Sequence, residues 1–339
     1  MSDNAMEQIV SILRQDGASL YPQRNEMRNV RIVGHTPKHD HYIYDAVMEF
    51  ADGGERLAIK VFRSHKCGIQ GTKSLAAQEL RHLQSVYALA EMKKLVGIPR
   101  PLGDFAELGA VVSEKLIGIP LQSIIMKAAL LPGYADCGTL QLAAKSTGEW
   151  LRKFHRATAE MPEPLDAAGF LVELEKLCAS CKKEGLDEAS IKTIMDGTKG
   201  ILARSRKTLP SSAVLNNFTP LNVVITESGV GFCDFAKMSK RGNSFSDLAL
   251  FLASVEALEK YPFCDRSITS AVQSSFLESY GVSASDQRLL RVFKMKTLLS
   301  MLVQGRTVRE SAQRKKVMWA NVMQRFIQQA AERALAPAA

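Results

Sequence analysis

The most informative segment of this chain is Ala213-Val-Leu-Asn-Asn-Phe-Thr-Pro-Leu-Asn222-Val-Val-Ile-Thr226, followed after a short turn by Gly231-Phe-Cys-Asp-Phe235. Two short apolar runs around Glu-Ser-Gly predict a β-hairpin over residues 223–233. Asn222 and Asp234 then stand at opposite ends of one rigid element, where their oxygen atoms can face the same cation. Such a pair suits Mg²⁺, which is held by few protein groups and by phosphate oxygens.

The composition is that of an ordered globular protein. The chain has 339 residues, of which 46% are hydrophobic and 23% are charged, so it is long enough for two lobes with buried cores. The sequence contains no run of about 18 apolar residues and no secretory signal pattern, so we expect a cytoplasmic protein. Six scattered cysteines predict reduced thiols rather than a disulfide framework.

The charge balance favours an anionic partner. The formal net charge is +9 and the sequence pI is about 9.2. A nucleotide, an acidic or phosphorylated substrate, a membrane surface and a nucleic acid would all be compatible with this charge. Because zinc-finger, RRM and KH patterns are absent from the sequence, nucleic acid is disfavoured.

The order of the predicted elements indicates an α+β chain. A helix over 6–15 precedes three strands within 30–62, a helix over 73–91 and two further strands near 101–102 and 110–116, which together predict a five-stranded antiparallel lobe. Beyond Gly118-Ile-Pro120 the pattern becomes mainly helical. The predicted helices cover 139–160, 166–184, 187–207, 247–260, 266–280, 284–304 and 306–334. The expected domains are therefore 1–116, the sheet lobe, and 117–339, the helical lobe that carries the hairpin and an acceptor site.

Several short motifs stand in one order along this framework. They are Ala58-Ile-Lys60, Ser113-Glu-Lys-Leu-Ile-Gly118, Trp150-Leu-Arg-Lys-Phe-His155, the segment from Ala213 to Asp234, and Ser246-Asp-Leu-Ala249. In this order and spacing the chain resembles the aminoglycoside phosphotransferase and choline kinase-like branch of the protein-kinase-like fold. The matching motifs cover about residues 30–255. The resemblance implies a bilobal fold, with a small sheet lobe and a larger helical lobe, and an enzyme that uses ATP and Mg²⁺.

The resemblance also implies roles in nucleotide binding. Lys60 would hold the α- and β-phosphates, and Glu79 would fix its ammonium group through an ion pair. Lys38, in the loop expected to cover the phosphates, would contact phosphate, although this loop lacks a Gly-x-Gly-x-x-Gly run. The backbone groups of Glu114 and Leu116 would bind the adenine edge.

The remaining implied roles concern the metal and the catalytic loop. Asn222 and Asp234 would bind Mg²⁺. Asp247 would hold the catalytic loop through backbone amides, and His155 would brace that loop rather than carry a proton.

Position 217 departs from the family pattern His-x-Asp-x-x-Pro-x-Asn. Leu215 takes the place of the histidine, and Asn217 takes the place of the catalytic aspartate. An amide can orient a hydroxyl but cannot accept its proton, and a positioned general base contributes about 10²–10⁴-fold. Three explanations stay open: a nucleotide-binding pseudokinase, an enzyme with another base or a water in that role, and an active kinase disabled by one Asp-to-Asn replacement.

The acceptor is expected to be small. Twelve residues separate Asp234 from Asp247 and no Ala-Pro-Glu follows, whereas a protein kinase has a longer activation segment. The hydroxyl of a sugar, polyol, amino alcohol or lipid-linked acceptor is therefore favoured. A regulatory or scaffold module is the alternative function. Basic and apolar residues within 288–296 and 314–327 leave contact with a membrane surface open, and the sequence does not predict an oligomeric state.

Overall fold

The computed structural model describes residues 2–131, 136–205, 208–261, 263–307 and 326–332. The chain divides into two compact units. Unit 1 comprises Met1–Gly118 and Thr226–Met238, and unit 2 comprises Ile119–Ile225 and Ser239–Ala339. The division within Val223–Thr226 means that the second half of the predicted hairpin, with Asp234, belongs to unit 1.

Unit 1 is built on a four-stranded antiparallel sheet. Its strands are β1 (Met27–Pro37), β2 (His41–Phe50), β3 (Gly53–Phe62) and β4 (Ala110–Glu114), in the order β1-β2-β3-β4. Its helices are α1 (Ser2–Leu20) and α2 (Ser64–Lys93). Ile9 and Leu13 of α1 are fully buried against the sheet, in one core with Met48 and Ile59. This arrangement leaves the opposite face of the sheet to position other side chains of unit 1.

The expectation of a five-stranded lobe is wrong by one strand. Pro101 forms only an isolated bridge to Ser113. Hydrogen bonds from Leu102 N to Val112 O and from Glu114 N to Arg100 O hold this segment beside β4, but proline has no N–H to extend the ladder. Gly103, with φ of 73°, then turns the chain away.

A close crossing fixes the second half of the hairpin within unit 1. Phe232 N donates to Gly97 O over 3.0 Å. Gly97 has φ of 82°, and a Cβ atom there would lie 2.0 Å from Val230 O. Only glycine permits this approach of the two backbones. The crossing therefore determines where the residues after Phe232 emerge.

Unit 2 is mainly helical. Its helices are α3 (Leu121–Leu130), α4 (Cys137–Ala157), α5 (Ala167–Lys183), α6 (Glu188–Arg204), α7 (Phe245–Glu256), α8 (Arg266–Tyr280) and α9 (Ala284–Thr307). Four of them begin after an aspartate whose side chain accepts a backbone N–H of the first turn, namely Asp136, Asp166, Asp187 and Asp265. Such caps satisfy amides that have no partner within the helix.

The helix predictions from sequence are largely confirmed, with three differences. α1 and α2 extend beyond the predicted 6–15 and 73–91, and α3 had not been predicted as a separate helix. Of the predicted helix 306–334, residues 308–325 and 333–334 lie outside the described residues, whereas 326–332 are helical. The helix expected at 247–260 is a shorter α7 followed by a 3-10 turn.

Short strands accompany these helices. They are β5 (Ile119–Pro120), β6 (Glu160–Pro164), β7 (Thr208–Val214), β8 (Val223–Thr226), β9 (Gly229–Phe232) and β10 (Ser239–Asn243). β10, β7 and β6 form a three-stranded sheet within unit 2, and β5, β8 and β9 form the other three-stranded sheet. The predicted hairpin corresponds to β8 and β9. Together with the helices these antiparallel sheets confirm the α+β class.

The described helices include one of the two segments for which the sequence left contact with a membrane surface open. None of them is long and apolar enough to cross a bilayer. In α9 the apolar side chains Leu289, Val292 and Met295 are buried in unit 2, so the predicted apolar face of 288–296 is used internally. Residues 314–325 of the other predicted surface lie outside the described residues.

Candidate functional site

A buried lysine lies between two carboxylates in unit 1. Lys60 Nζ is 2.8 Å from Glu79 Oε2 and 3.1 Å from Asp234 Oδ1. The side chains of Lys60 and Glu79 are only 13% and 4% exposed. We call Lys60, Glu79 and Asp234 the Lys60 cluster. The ion pair between Lys60 and Glu79 that the sequence led us to expect is present.

Local structure explains how the three side chains meet. Lys60 follows the fully buried Ile59 on β3, and because side chains alternate along a strand it projects from the face opposite the α1 core. Glu79 lies on the buried side of α2, one residue before the buried Leu80. Asp234 comes two residues after β9, whose path is fixed by the Gly97 crossing.

The charges of Lys60 and Asp234 support each other, whereas burial raises the pKa of Glu79 in spite of the nearby ammonium of Lys60. Burial alone would lower the pKa of Lys60, but the carboxylates of Glu79 and Asp234 outweigh it and raise that pKa above its ordinary value. Burial would raise the pKa of Asp234, but the ammonium of Lys60 outweighs it and lowers that pKa. Lys60 is therefore a fixed cation and Asp234 a fixed anion at neutral pH.

The turn between β1 and β2 lies near this cluster. Burial, followed by the charge of Lys60, lowers the pKa of His41, so its imidazole is neutral at pH 7. His41 Nδ1 is 2.8 Å from Asp40 Oδ1. Lys38 N donates to His41 O over 2.9 Å and closes the turn. The contact of Lys38 with phosphate stays a prediction.

Glu114 is the last residue of β4, and Leu116 follows two residues later. Glu114 N donates to Arg100 O over 2.9 Å, and Glu114 Oε1 accepts from Arg100 Nε over 2.8 Å. Leu116 lies against β9, since a Cβ atom added to Gly231 would be 2.7 Å from Leu116 Cδ1. Binding of adenine by their backbone groups stays a prediction.

In unit 2, a buried aspartate holds the segment that contains Asn217. Asp247 Oδ2 accepts from Leu215 N, and Asp247 Oδ1 accepts from Asn216 N, each over 2.8 Å. Asp247 is fully buried on the first turn of α7. Its predicted support of the loop through backbone amides is confirmed. We call residues 215–222 the Asn217 loop.

A histidine and a tyrosine complete this support. His155 Nε2 lies 3.1 Å from Asp247 Oδ2, and His155 Nδ1 lies 2.9 Å from the hydroxyl of Tyr280. Burial, followed by the nearby Asp247 carboxylate, raises the pKa of Tyr280, so its hydroxyl stays protonated. Because the Asp247 carboxylate only accepts, the Nε2–H of His155 donates to it, and in the Nε2–H tautomer Nδ1 accepts from the Tyr280 hydroxyl. His155 thus has the bracing position that was predicted for it.

Asn217 and Asn222 are joined within unit 2. Asn222 Nδ2 donates to Asn217 O over 3.0 Å, and Thr219 N donates to the same carbonyl over 2.9 Å. With its amide nitrogen directed to the backbone, Asn222 presents Oδ1 as the oxygen that can bind a cation. Both asparagine side chains are half-buried. The loop is therefore held in one conformation at both of its ends.

Two residues of this loop were not singled out from the sequence. Asn216 has φ of 55°, in the left-handed region that few non-glycine residues adopt, and asparagine is one of the best tolerated there. Phe218 is fully buried and stacks on Trp150 at 5.9 Å between ring centroids. Together they turn the backbone immediately before Asn217 and anchor it immediately after. The only local signal in the sequence was the pair Asn216-Asn217 followed by an aromatic residue.

The oxygen donors fit a magnesium ion by their chemistry. Asp234 offers a carboxylate and Asn222 a side-chain carbonyl, and Mg²⁺ is usually bound by one or two such groups together with phosphate oxygens. No group of three or more His, Cys, Asp and Glu side chains suited to a metal occurs among the described residues. Asp234 belongs to unit 1 and Asn222 to unit 2, and the binding of one Mg²⁺ by both residues stays a prediction.

Sequence comparison gives no assignment. No protein-family model matches the chain, and no curated protein matches it.

Comparison with solved structures gives consistent similarities over most of the chain. A glucosamine kinase solved with glucosamine, ADP and inorganic phosphate matches with a TM-score of 0.54 at 16% identity, over 91% of this chain and 95% of that one. Choline kinase LicA from Streptococcus pneumoniae matches with a TM-score of 0.51 at 14% identity, over 96% and 99%. An aminoglycoside phosphotransferase from Alicyclobacillus acidocaldarius matches with a TM-score of 0.51 at 14% identity, over 90% and 91%.

All three are small-molecule kinases. At these identities the similarity concerns the fold, and it confirms at that level the resemblance predicted from the motifs. The chain therefore has the protein-kinase-like fold of the aminoglycoside phosphotransferases and choline kinases.

Proposed function

We propose that this protein is an ATP- and Mg²⁺-dependent phosphotransferase that acts on a hydroxyl group of a small molecule. The observation that carries the proposal is the Lys60 cluster, in which a buried lysine is held between a helix carboxylate and the aspartate that follows a hairpin. Burying three charges is costly unless they are paired. An arrangement of this kind, on this fold, is suited to binding a nucleoside triphosphate.

Each residue of the cluster has a distinct task in this proposal. Lys60 is the cation for the α- and β-phosphates, and Glu79 keeps its ammonium group charged and in place. Asp234 and, from the Asn217 loop, Asn222 are the ligands of Mg²⁺, which when bound would neutralise phosphate charge. Lys38 and the backbone of Glu114 and Leu116 are the remaining proposed nucleotide contacts.

Asn217 is the weak point of the proposed enzyme. Its amide can orient the acceptor hydroxyl but cannot take its proton. Phosphoryl transfer passes through a loose transition state with little need for a strong nucleophile, so positioning and charge can sustain slow turnover. We therefore propose an impaired kinase, whether the asparagine is natural or introduced.

The same residue favours a second candidate function. A pseudokinase would bind nucleotide through the Lys60 cluster and serve as a regulatory or scaffold module without turnover. The two functions differ in one result, since restoring a carboxylate at position 217 gives activity only in the first.

The acceptor class is proposed from two observations. The segment between Asp234 and Asp247 is occupied by the short β10 and its turns rather than by a long activation segment. The fold neighbours include kinases whose names specify glucosamine, choline, an aminoglycoside and, as a putative assignment, fructosamine. These four compounds are the first acceptors to screen, followed by polyols and lipid-linked alcohols.

Binding of a non-hydrolysable ATP analogue with and without Mg²⁺ tests the nucleotide step directly. Calorimetry should show binding by the chain as given and by Asn217→Asp, with tighter binding when Mg²⁺ is present. ATP turnover is then measured for both proteins with the acceptor panel. Asn25→Asp, at an exposed position of unit 1, is the matched control for the added charge. If neither protein binds the nucleotide, both proposed functions are lost.

A further inference from the structure

A cavity lies wholly within unit 1, between α1, the end of β3 and the beginning of α2. Its volume is about 430 Å³, which is within the range of small-molecule sites. Its lining is mixed, with the apolar Val61, Phe62, Ile69 and Leu108 on one part and polar groups on the other. The function proposed above assigns no role to it. We call it the α1/α2 cavity.

Arg63 is the outstanding polar group of this cavity. Its guanidinium lies over the ring of Tyr42, 4.0 Å from the centroid, and both side chains line the cavity. Its Nε atom is buried and has no hydrogen-bond partner among the described residues. The guanidinium forms no ion pair with a carboxylate among the described residues. An anion in the cavity would balance its charge.

The other charges of the lining do not compensate Arg63. Glu107 is the single carboxylate among the described residues that line the cavity. Its Oε2 atom accepts from Lys73 Nζ over 2.8 Å, so this acid is already paired with another cation of the lining. Arg63 therefore gives the cavity an unbalanced positive charge next to apolar surface.

The apolar part is unusually accessible. Ile69 is 62% exposed although it stands beside the buried Val61 and Phe62. Burying such a side chain against an apolar ligand is favourable because it removes apolar surface from water. A ligand with both an anionic and an apolar part would satisfy the two halves of the lining.

We propose that the α1/α2 cavity binds a small amphiphilic anion, a phosphate or carboxylate ester or acid with an aromatic or branched apolar body. The anionic group lies against Arg63, and the apolar body lies against Ile69 and Leu108. This site is distinct from the proposed nucleotide site and does not depend on it.

The position of the cavity links its occupant to the Lys60 cluster. Phe62 lines the cavity, and its ring centroid is 5.3 Å from Lys60 Nζ. The helix that carries Glu79 also departs from helical geometry at Gly68, where φ is 70° and ψ is 164°. His65 and Ile69, on the two sides of this break, both line the cavity. A bound ligand would thus contact both segments of α2.

The first experiment uses phenyl phosphate as the probe, with the full chain and calorimetric titration. We expect saturable binding of one molecule, and at least a tenfold loss of affinity in Arg63→Gln. Arg31→Gln is the matched control, because Arg31 is an exposed arginine on β1 outside the cavity and should leave the affinity unchanged. Equal affinity of Arg63→Gln and the unchanged chain would overturn the proposal, as would the absence of saturation up to about 10 mM.

A second variant guards against loss of folding in Arg63→Gln. Ile69→Gln changes an exposed side chain and should preserve the fold, while weakening phenyl phosphate about threefold or more and leaving the weaker binding of inorganic phosphate unchanged. An unchanged affinity for phenyl phosphate in this variant contradicts the apolar contact. Soaked crystals should show the phosphate group next to Arg63.

Titration in the presence of a saturating ATP analogue separates this proposal from the proposed function. Phenyl phosphate should still bind, with Arg63 as its determinant. Full displacement by the ATP analogue would show that phenyl phosphate occupies the proposed nucleotide site. This result would overturn the proposal of a separate site in the α1/α2 cavity. If the chain binds no nucleotide at all, the proposed function fails while the result for phenyl phosphate stands unaffected.

Discussion

The Lys60 cluster and the Asn217 loop belong to different units and differ in what they retain. The first has the charges expected of the proposed nucleotide site, with Lys60 held by two carboxylates. The second has its entire support, from Asp247 and His155 to the stacked Phe218, but carries an amide where a proton acceptor is expected. The comparison separates the proposed binding of nucleotide from the proposed proton transfer, because the amide at position 217 leaves the ion pairs of the Lys60 cluster in place.

The largest expected effect comes from restoring that group. Asn217→Asp should raise ATP turnover with the correct acceptor by about 10²–10⁴-fold, because a positioned carboxylate adds general-base catalysis. The affinity for the ATP analogue should change little, since Asn217 is not among the proposed nucleotide contacts. Release of ADP, measured across the acceptor panel, is the readout.

The result of Asn217→Asp also distinguishes the open explanations. Restored turnover would fit an enzyme disabled at one position. Turnover that stays at the level of Asn25→Asp while nucleotide binding persists would favour the pseudokinase. High turnover of the unchanged chain would instead point to another base.

The next effect concerns the buried charges of unit 1. Lys60→Met leaves the carboxylates of Glu79 and Asp234 without their cation, and breaking a buried ion pair in this way costs about 3–5 kcal/mol. Denaturant unfolding at pH 7 measures the loss. The double variant Lys60→Met with Glu79→Gln should recover a large part of it, because it removes one of the uncompensated charges. Equal stability of Lys60→Met and the unchanged chain would contradict the pairing.

A smaller effect depends on pH. The pKa of Asp234 is lowered in the folded protein, so its contribution to stability is fully present above its ordinary pKa of about 3.8 and is lost as pH falls through the lower folded value. Asp234→Asn should therefore reduce the free energy of unfolding by about 1.5 kcal/mol at pH 7, since Lys60 keeps Glu79 as a partner. The difference from the unchanged chain should persist down to about pH 5 and shrink below pH 4. A difference in stability that grows on acidification would contradict the lowered pKa of Asp234.

The sequence predicted those parts of the site that depend on local pattern. Lys60 on a strand, Glu79 beside the apolar stripe of a helix and Asp247 near the start of α7 could all be placed from periodicity and motif order. The family resemblance implied that Asp247 holds the loop through backbone amides, and the structure identifies the donors as Leu215 N and Asn216 N. These features could be predicted because each residue sits within a segment of clear helical or strand pattern.

Other features depend on contacts that the local pattern does not contain. The sheet of β6, β7 and β10 is formed by segments rich in serine, proline and charged residues, which have weak strand alternation. A strand was predicted around Pro101 and Leu102. The hydrogen bonds that hold this segment beside β4 involve Leu102 and Arg100 on either side of Pro101, and the sequence around Pro101 does not show that they stop there. The positive φ of Asn216 accompanies the hydrogen bond from its N–H to the buried carboxylate of Asp247, a contact that its neighbours in sequence do not predict.

The smallest expected effect tests how the Asn217 loop is supported at a distance. Tyr280→Phe removes the hydroxyl that donates to His155 Nδ1, and loss of one such hydrogen bond costs about 1 kcal/mol. Without this donor the imidazole is no longer held as the Nε2–H tautomer, which weakens its hydrogen bond to Asp247. Nitrogen NMR of His155 should show mainly the Nε2–H form in the unchanged chain and a mixture in Tyr280→Phe.

Tyr261→Phe, at a tyrosine that is 41% exposed, is the control for loss of a hydroxyl. If Tyr280→Phe leaves both the tautomer and the stability unchanged, His155 is oriented by Asp247 alone. The Asn217→Asp protein is also tested with Tyr280→Phe added. A large loss of its regained turnover would show that the support of the Asn217 loop extends from Tyr280 on α8 through His155 and Asp247 to the backbone next to residue 217.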